Sequence, residues 1–171
     1  EGWLDPRSPL RRSRSRAAAF LLSKAAWIRS RKERMLGMIP ADRSKPGREE
    51  EMRFRRKVSQ LAADLAGRLP SGARAVSRIV FRSQQTRWGS CSAVGTISIN
   101  YACSRLPDRL LEYVVAHEVC HLVRMDHSAA FRTLLDSLLP DAGLRKRELA
   151  HYRIVSPADE GPENRAELSE T

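Results

Sequence analysis

With 171 residues, 42% of them hydrophobic, the chain is long enough for one domain with a core of its own. Its longest uninterrupted apolar stretch, residues 17–22, is too short for a membrane span or for the apolar segment of a signal peptide. We therefore expect a cytoplasmic protein without a membrane segment. Its three cysteines are odd in number and have no C-x-x-C spacing, which argues against a disulfide framework and a cysteine-built zinc site, so we expect reduced thiols.

The positive charge is concentrated in the N-terminal third. The net charge is +11, and residues 1–60 hold 17 Lys and Arg against 7 Asp and Glu. Residues 1–16 predict a basic disordered arm, residues 17–155 a single domain, and residues 156–171 an acidic disordered tail. The arm and a second basic cluster at 53–57 can bind nucleic acid phosphates, although a solvated charged surface is the more common reason for such clusters.

The predicted elements begin with two helices. A helical pattern covers residues 17–35, and a linker with a Pro-Gly turn follows over 40–47. A second helix is predicted over 48–69, because Phe54, Val58, Leu61, Leu65 and Leu69 recur at helical spacing. Strands are then predicted over 75–82, 85–91 and 96–100, with a tight turn at 93–95.

The remaining predicted elements are helical. Pro107 and Asp108 suit the first turn of a helix that runs to about Arg124. Asp126 or Ser128 can cap a further helix over 129–139. A last short helix is predicted over 142–152.

Three of the four histidines lie within eleven residues, at the end of an apolar helical pattern. A helix brings His117 and His121 to one face, because residues four apart lie about one turn from each other, and Glu118 lies beside them. This H-E-x-x-H arrangement is typical of a zinc site that carries its own general base. The alternative is a pair of partly exposed histidines beside a solvated glutamate. The turn before them is apolar, however, so the helix enters the core, where polar side chains need partners and a bound divalent cation can provide them.

A hydrolytic zinc site needs three protein ligands and one open position for water. His127, six residues after His121, can supply the third ligand if the helix ends near Arg124. Glu148 on a later helix is the main competing third ligand. Cys120, one residue before His121, is interpreted as a small buried residue.

Five sequence blocks carry a family resemblance. They are residues 87–91 (Arg-Trp-Gly-Ser-Cys), 97–100, Pro107, 113–122 and 126–131. In this order and at these spacings they resemble the YgjP-like metallopeptidase family, also called domain of unknown function 45, which is related to the SprT-like and WLM zinc proteins.

The resemblance implies that His117, His121 and His127 bind zinc and that Glu118 is the catalytic acid/base. It implies an α+β, zincin-like fold: a small, mostly antiparallel three-stranded sheet packed on the HExxH helix, with additional N- and C-terminal helices. Block 87–91 is interpreted as bracing the sheet against the active-site helix. Family members usually begin with a β-rich segment, and this chain has the Arg/Ser arm instead.

The residues themselves predict the same chemistry. Zinc on three imidazoles lowers the pKa of its bound water, and Glu118 can accept that water's proton, so we expect a metallopeptidase acting on peptides or proteins. Asn100, at the end of a predicted edge strand, can touch an extended peptide, although a polar strand end that faces water is an equally good interpretation. The candidates for stabilising the oxyanion are Arg87, Tyr101, His151 and Tyr152.

Two other functions remain open at this point. Some family members are associated with nucleoside triphosphate pyrophosphatase activity on UTP, but the chain has neither a glycine-rich phosphate loop nor a carboxylate cluster for magnesium. The other is a DNA-associated SprT-like protease or a nucleic-acid-binding module that uses the basic N-terminal third. The oligomeric state does not follow from the sequence.

Overall fold

The computed structural model describes residues 37–156 and, before them, residues 20, 24–25, 27 and 29–31. Its contacts divide the chain into two units, Glu1–Met38 and Ile39–Thr171. In the first unit, the described positions between 20 and 31 are helical, as the pattern over 17–35 predicts. The predicted arm over 1–16 lies outside the described residues, as does the predicted tail after Ser156. The domain boundaries therefore stay predictions.

The second unit combines helices and strands, so the α+β prediction is confirmed. Its elements are β1 (Ile39–Asp42), α1 (Arg48–Ala66), β2 (Arg78–Arg82), β3 (Gly89–Cys91), β4 (Thr96–Asn100), a short 3-10 helix (Tyr101–Arg105), α2 (Asp108–Cys120), α3 (Ala129–Leu138), α4 (Ala142–Leu149) and β5 (Tyr152–Val155). None of the helices formed by the described residues combines the length and apolar character needed to cross a membrane.

Helix α1 forms where the apolar spacing predicts it. Phe54, Val58, Ala62 and Leu65 are buried along one stripe, and the helix packs against α2. Three glutamates in its first turn stabilise the helix, because their negative charges lie at the positive end of the helix dipole. Gly67 follows its last residue and Pro70 prevents continuation. This pair of helices supplies much of the core behind the site.

The three-stranded sheet has the order β2-β4-β3, with β2 parallel and β3 antiparallel to β4. The prediction of a mostly antiparallel sheet is therefore wrong for one of its two strand pairs. The chain reverses once between β2 and β3 and again in the β3–β4 hairpin, so β4 runs in the direction of β2. Strand β4 is also central, whereas the sequence was interpreted as placing it at an edge. Gly95 has φ +77° in the hairpin turn, where a Cβ would lie 2.4 Å from the carbonyl oxygen of Ala75.

A second, two-stranded sheet was not predicted. Strands β1 and β5 pair in parallel, with Ile39 opposite Tyr152 and Asp42 opposite Val155. Residues 39–42 are thus a strand rather than part of a linker, and the last helix ends at Leu149 instead of continuing to Tyr152. Both strands are four residues long and depend on a distant partner, so neither has a strong local pattern.

Helix α2 brings the H-E-x-x-H segment to the sheet. It begins at Asp108, directly after Pro107, and its buried residues include Leu110, Val115 and Val119. It ends at Cys120, four residues before the predicted end, and residues 121–123 form a turn. Ser128 then caps α3 by accepting a hydrogen bond from the backbone of Phe131.

Candidate metal centre

The structure brings the three predicted histidines together. His117 lies in the last turn of α2, His121 follows its last residue, and His127 lies just before α3. One ring nitrogen of each lies within 4.8 Å of the others, an arrangement that could hold a metal ion. The Nε2 atoms of His117 and His127 are 3.0 Å apart. The early end of α2 allows the chain to turn back and complete the cluster.

The surroundings of His117 and His121 favour neutral imidazole rings. The Nδ1 atom of His121 lies 2.8 Å from the carbonyl oxygen of Arg124, so it carries a proton and leaves Nε2 as the acceptor. Burial lowers the pKa of His117 to about 4, with help from the other two histidines, and burial also lowers the pKa of His121. Metal ligation requires this neutral form, so the donor set fits a divalent cation.

One buried aromatic side chain lies beside all three rings. The ring centroid of Phe131 is 4.9 Å from that of His117, 4.8 Å from that of His121 and 5.0 Å from that of His127. Phe131 comes from the first turn of α3 and is almost fully buried. It therefore shields the cluster from water on that side.

Glu118 is a buried carboxyl group whose loss of contact with water is not fully balanced by hydrogen bonds to the described residues. Its side chain is 5% exposed, and among the described residues its Oε2 atom has no hydrogen-bond partner. Burial raises its pKa to about 8, while the charge of Arg87 acts in the opposite direction. A buried polar atom without a partner costs free energy, so it points to a ligand or a reaction rather than to stability.

Block 87–91 acquires a specific role through Gly89. A Cβ at this position would lie 2.8 Å from both Cγ and Oε1 of Glu118, which is closer than Cβ atoms in proteins approach other non-hydrogen atoms. The glycine thus lets strand β3 pass directly over the carboxyl group. A glycine inside a strand pattern can signal such a close approach. From the sequence, this block was expected to brace the sheet against the active-site helix. The sheet and the helix do meet here, but the contact between Gly89 and Glu118 was not predicted.

Asn100 has a different environment from the one predicted. It is 1% exposed, its Nδ2 donates to the carbonyl oxygens of Gln84 (2.7 Å) and Arg87 (2.8 Å), and its Oδ1 accepts from the backbone of Ala102 (3.1 Å). These bonds occupy the side chain and fix the loop before β3. Asn100 therefore holds that loop through these bonds, and its contact with substrate stays a prediction.

The other candidates separate into those near the histidines and those elsewhere. Arg87 is exposed and lines a cavity of about 340 Å³ together with the three histidines, Glu118 and strand β3. Tyr101 instead donates a hydrogen bond to Glu51 beside α1. Glu148, the competing third ligand, pairs with Arg109.

Three further predicted residues lie outside that cavity lining. His151 is exposed, and Tyr152 belongs to β5. Cys120 is fully buried, in agreement with its interpretation as a small core residue.

Arg74 is a residue of this region that sequence reasoning missed. Its guanidinium donates to the carbonyl oxygens of His121 (2.8 Å), Leu122 (3.1 Å) and Ala93 (3.3 Å). It thereby ties the end of α2 to the β3–β4 hairpin, and its positive charge lies at the negative end of the helix dipole. Nothing in the local sequence distinguishes this arginine, because its partners are backbone atoms far along the chain.

One protein family covers the part of the chain that forms this site. The profile of the YgjP-like, metallopeptidase domain family matches residues 48–152, which include every side chain described at this site. The chain belongs to this family. Among solved structures, the metallopeptidase zymogen of Pyrococcus abyssi abylysin is similar, with 22% sequence identity, a TM-score of 0.45 and coverage of 57% of this chain and 99% of that one. No curated protein matches the chain.

YgjP-like family membership supports a metal-dependent peptidase and gives no support to the UTP pyrophosphatase alternative. Nucleic-acid binding also lacks support from the comparisons. In the basic cluster at 53–57, Arg53, Arg55 and Lys57 pair with Glu49, Glu51 and Asp108, respectively. These ion pairs reduce the charge that the cluster can offer to phosphates.

Proposed function

We propose that this chain is a zinc-dependent peptidase in which His117, His121 and His127 hold the metal and Glu118 is the general base. The observation that carries the proposal is the convergence of three imidazole nitrogens within 4.8 Å next to a buried carboxyl group. Such a set of ligands leaves one position open for water. The helix that ends in the H-E-x-x-H segment, with a sheet strand passing over it, supports the proposal of a zincin-like arrangement.

Zinc suits these ligands because it favours nitrogen donors and three-ligand sites. When bound, it supplies Lewis-acid activation of water and of the substrate carbonyl. The contact between His121 and the Arg124 carbonyl oxygen, at 2.8 Å, keeps the ring oriented toward the cluster.

Glu118 performs the proton transfers in this mechanism. Its Oε2 atom has no partner among the described residues, so it is available to a water molecule in the cavity. It takes a proton from the attacking water and delivers it to the amide nitrogen as the peptide bond breaks. Gly89 gives the carboxyl group the space it needs.

Strand β3 is the element that we expect to bind the peptide backbone. Among the described strands it pairs only with β4, and Gly89, Ser90 and Cys91 line the cavity that contains the histidines. An extended peptide can add to such an edge through backbone hydrogen bonds. Arg87, at the same cavity, is the side chain that we propose to contact a substrate carbonyl group.

The test combines metal content with peptide cleavage. The purified chain is expected to hold one zinc per molecule by elemental analysis and to cleave an unfolded protein such as casein. Glu118→Gln should keep the zinc and lower the cleavage rate by about 10²–10⁴-fold, the range for a general base. Glu112→Gln is the matched control, because Glu112 lies on the same helix but pairs with Arg145.

Two results would overturn the proposal. One is a zinc-supplemented chain without stoichiometric metal. The other is a Glu118→Gln variant that cleaves casein as fast as the parent. Removal of zinc with a chelator should stop cleavage, and added zinc should restore it.

A further inference from the structure

A second cavity, of about 260 Å³, adjoins the histidine cluster and lies between α2, α3 and α4. It is lined by Tyr113, His117, His127, Phe131, Arg132, Leu135, Asp136, Ala142, Gly143 and Lys146. His117 and His127 also line the cavity that contains Glu118. The two cavities therefore meet at the side chains of two proposed zinc ligands, which line both of them.

The interior of this second cavity is apolar. Tyr113, Phe131, Leu135 and Ala142 are all buried and come from three different helices. Pockets for complete small-molecule ligands usually have volumes of about 300–1,000 Å³. At about 260 Å³, this one is suited to a single side chain.

The exposed rim of the cavity carries more positive than negative charge. Arg132 and Lys146 are cationic, and Asp136 is the one acid among the lining residues. Arg132 donates a hydrogen bond of 3.3 Å to the carbonyl oxygen of His127, which holds it at the rim. A cationic side chain that entered here would meet two like charges and an apolar interior.

We propose that this cavity binds the side chain of one of the two substrate residues that flank the cleaved bond. We propose further that it selects a bulky, uncharged apolar or aromatic side chain. The inference rests on the proposed peptidase function, because a peptide bond at the zinc would place its neighbouring side chain beside His117 and His127. Leu, Met and Phe fit this cavity, Ala leaves it unfilled, and Lys is disfavoured.

Gly143 gives a way to change the cavity without disturbing the histidines. It lies at the second position of α4, and the nearest atom to a Cβ built there is Nη1 of Arg147, at 3.9 Å. A Cβ is therefore tolerated by the fold, and we expect a larger side chain at this lining position to narrow the cavity. Leu144 is the matched control position, because it is adjacent, 62% exposed and absent from the cavity lining.

The experiment uses end-blocked peptides that differ only in the residue next to the cleaved bond, with Ala, Leu, Phe or Lys at that position. Relative to Ala, kcat/KM should be about 10–200-fold higher for Leu or Phe, the range for filling an apolar pocket, and lower for Lys. Gly143→Leu should reduce the ratio of Phe to Ala by at least about tenfold. Leu144→Ala should leave the ratio unchanged.

A binding measurement separates this inference from the proposed function. Calorimetry with the zinc-loaded Glu118→Gln variant should show tighter binding of the Phe peptide than of the Ala peptide, and adding Gly143→Leu should remove the difference. Cleavage that is indifferent to the varied residue, or a Phe preference that survives Gly143→Leu, overturns the inference and leaves the peptidase standing. If no peptide is cleaved, the proposed function fails, and equal binding of both peptides then overturns the pocket as well.

Discussion

Two buried glutamates of this protein have opposite environments. Glu51 on α1 is 8% exposed and accepts hydrogen bonds from Tyr101 (2.7 Å) and Arg55 (2.8 Å), with Lys45 3.0 Å from its other oxygen. These partners lower its pKa to about 2. Glu118 on α2 has an oxygen without a partner among the described residues, and burial raises its pKa to about 8.

The contrast separates a structural carboxylate from a candidate catalytic one. Buried carboxylates in proteins are normally paired, and Glu51 follows that rule by linking α1 to the 3-10 helix after β4. Glu118 breaks the rule in a cavity that also contains three histidines and the exposed Arg87. Strongly shifted pKa values in a cleft are a common feature of functional sites.

The largest effect that sharpens this contrast is expected for Gly89→Ala. The new Cβ would lie 2.8 Å from two atoms of Glu118, so the carboxyl group or strand β3 must move. Since a displacement of about 1 Å can cost a hundredfold in rate, we expect the cleavage rate to fall about 100-fold. Zinc content should change little, because the substitution does not touch a histidine. Rate and zinc content are measured on the same preparation.

Gly47→Ala is the control for this substitution. No atom lies within 4 Å of a Cβ at Gly47, just before α1. The variant should retain the cleavage rate of the parent. A Gly89→Ala enzyme that is equally active would mean that the close approach of β3 to Glu118 has no functional consequence.

The parts of this contrast that depend on local spacing could be predicted from the sequence. The H-E-x-x-H segment and the apolar stripe of α1 both have helical periodicity. This periodicity is visible within each segment and does not depend on the rest of the chain. The position of His127 depended on where the helix ends. The sequence predicts an end near Arg124, whereas the helix ends at Cys120 and the following turn brings His127 to the other histidines.

The parts that depend on distant backbone atoms could not be predicted. Asn100 was interpreted as a residue at a sheet edge because a sequence does not show that β4 is central. Its actual partners are the carbonyl oxygens of Gln84 and Arg87. The role of Arg74 could not be predicted for the same reason. Every residue has a backbone carbonyl group, so the sequence does not show which of these groups will accept a hydrogen bond from an arginine. The pairing of β1 with β5 likewise joins the first and last described strands of the second unit.

A smaller effect is expected for Arg74→Gln. This variant loses most of the hydrogen bonds to the carbonyl oxygens of His121, Leu122 and Ala93, so the turn that carries His121 becomes less fixed. Residues that orient metal ligands typically contribute 10–100-fold to metal affinity, and we expect a loss of about tenfold for zinc, measured by competition with a chelator.

Arg68→Gln separates a site effect from a general loss of stability. Arg68 also donates to a backbone carbonyl oxygen, that of Leu138 at 2.7 Å, and it does not line the histidine cavity. Both variants should lower the melting temperature of the zinc-free protein, while only Arg74→Gln weakens zinc binding. Equal zinc affinity in both variants would make Arg74 a residue of the fold alone.

The smallest effect concerns the pH dependence of stability through Glu51. Because the folded state lowers the pKa of Glu51 from 4.5 to about 2, its contribution is present above pH 4.5 and is lost as the pH falls toward 2. Glu51→Gln should therefore lower the melting temperature above pH 5, and the difference from the parent should shrink between pH 4.5 and 2. Glu49→Gln is the control, since Glu49 is 82% exposed and, among the described residues, forms an ion pair with Arg53. A difference that stays constant down to pH 2 would show that the pairing with Tyr101, Lys45 and Arg55 does not depend on the charge of Glu51.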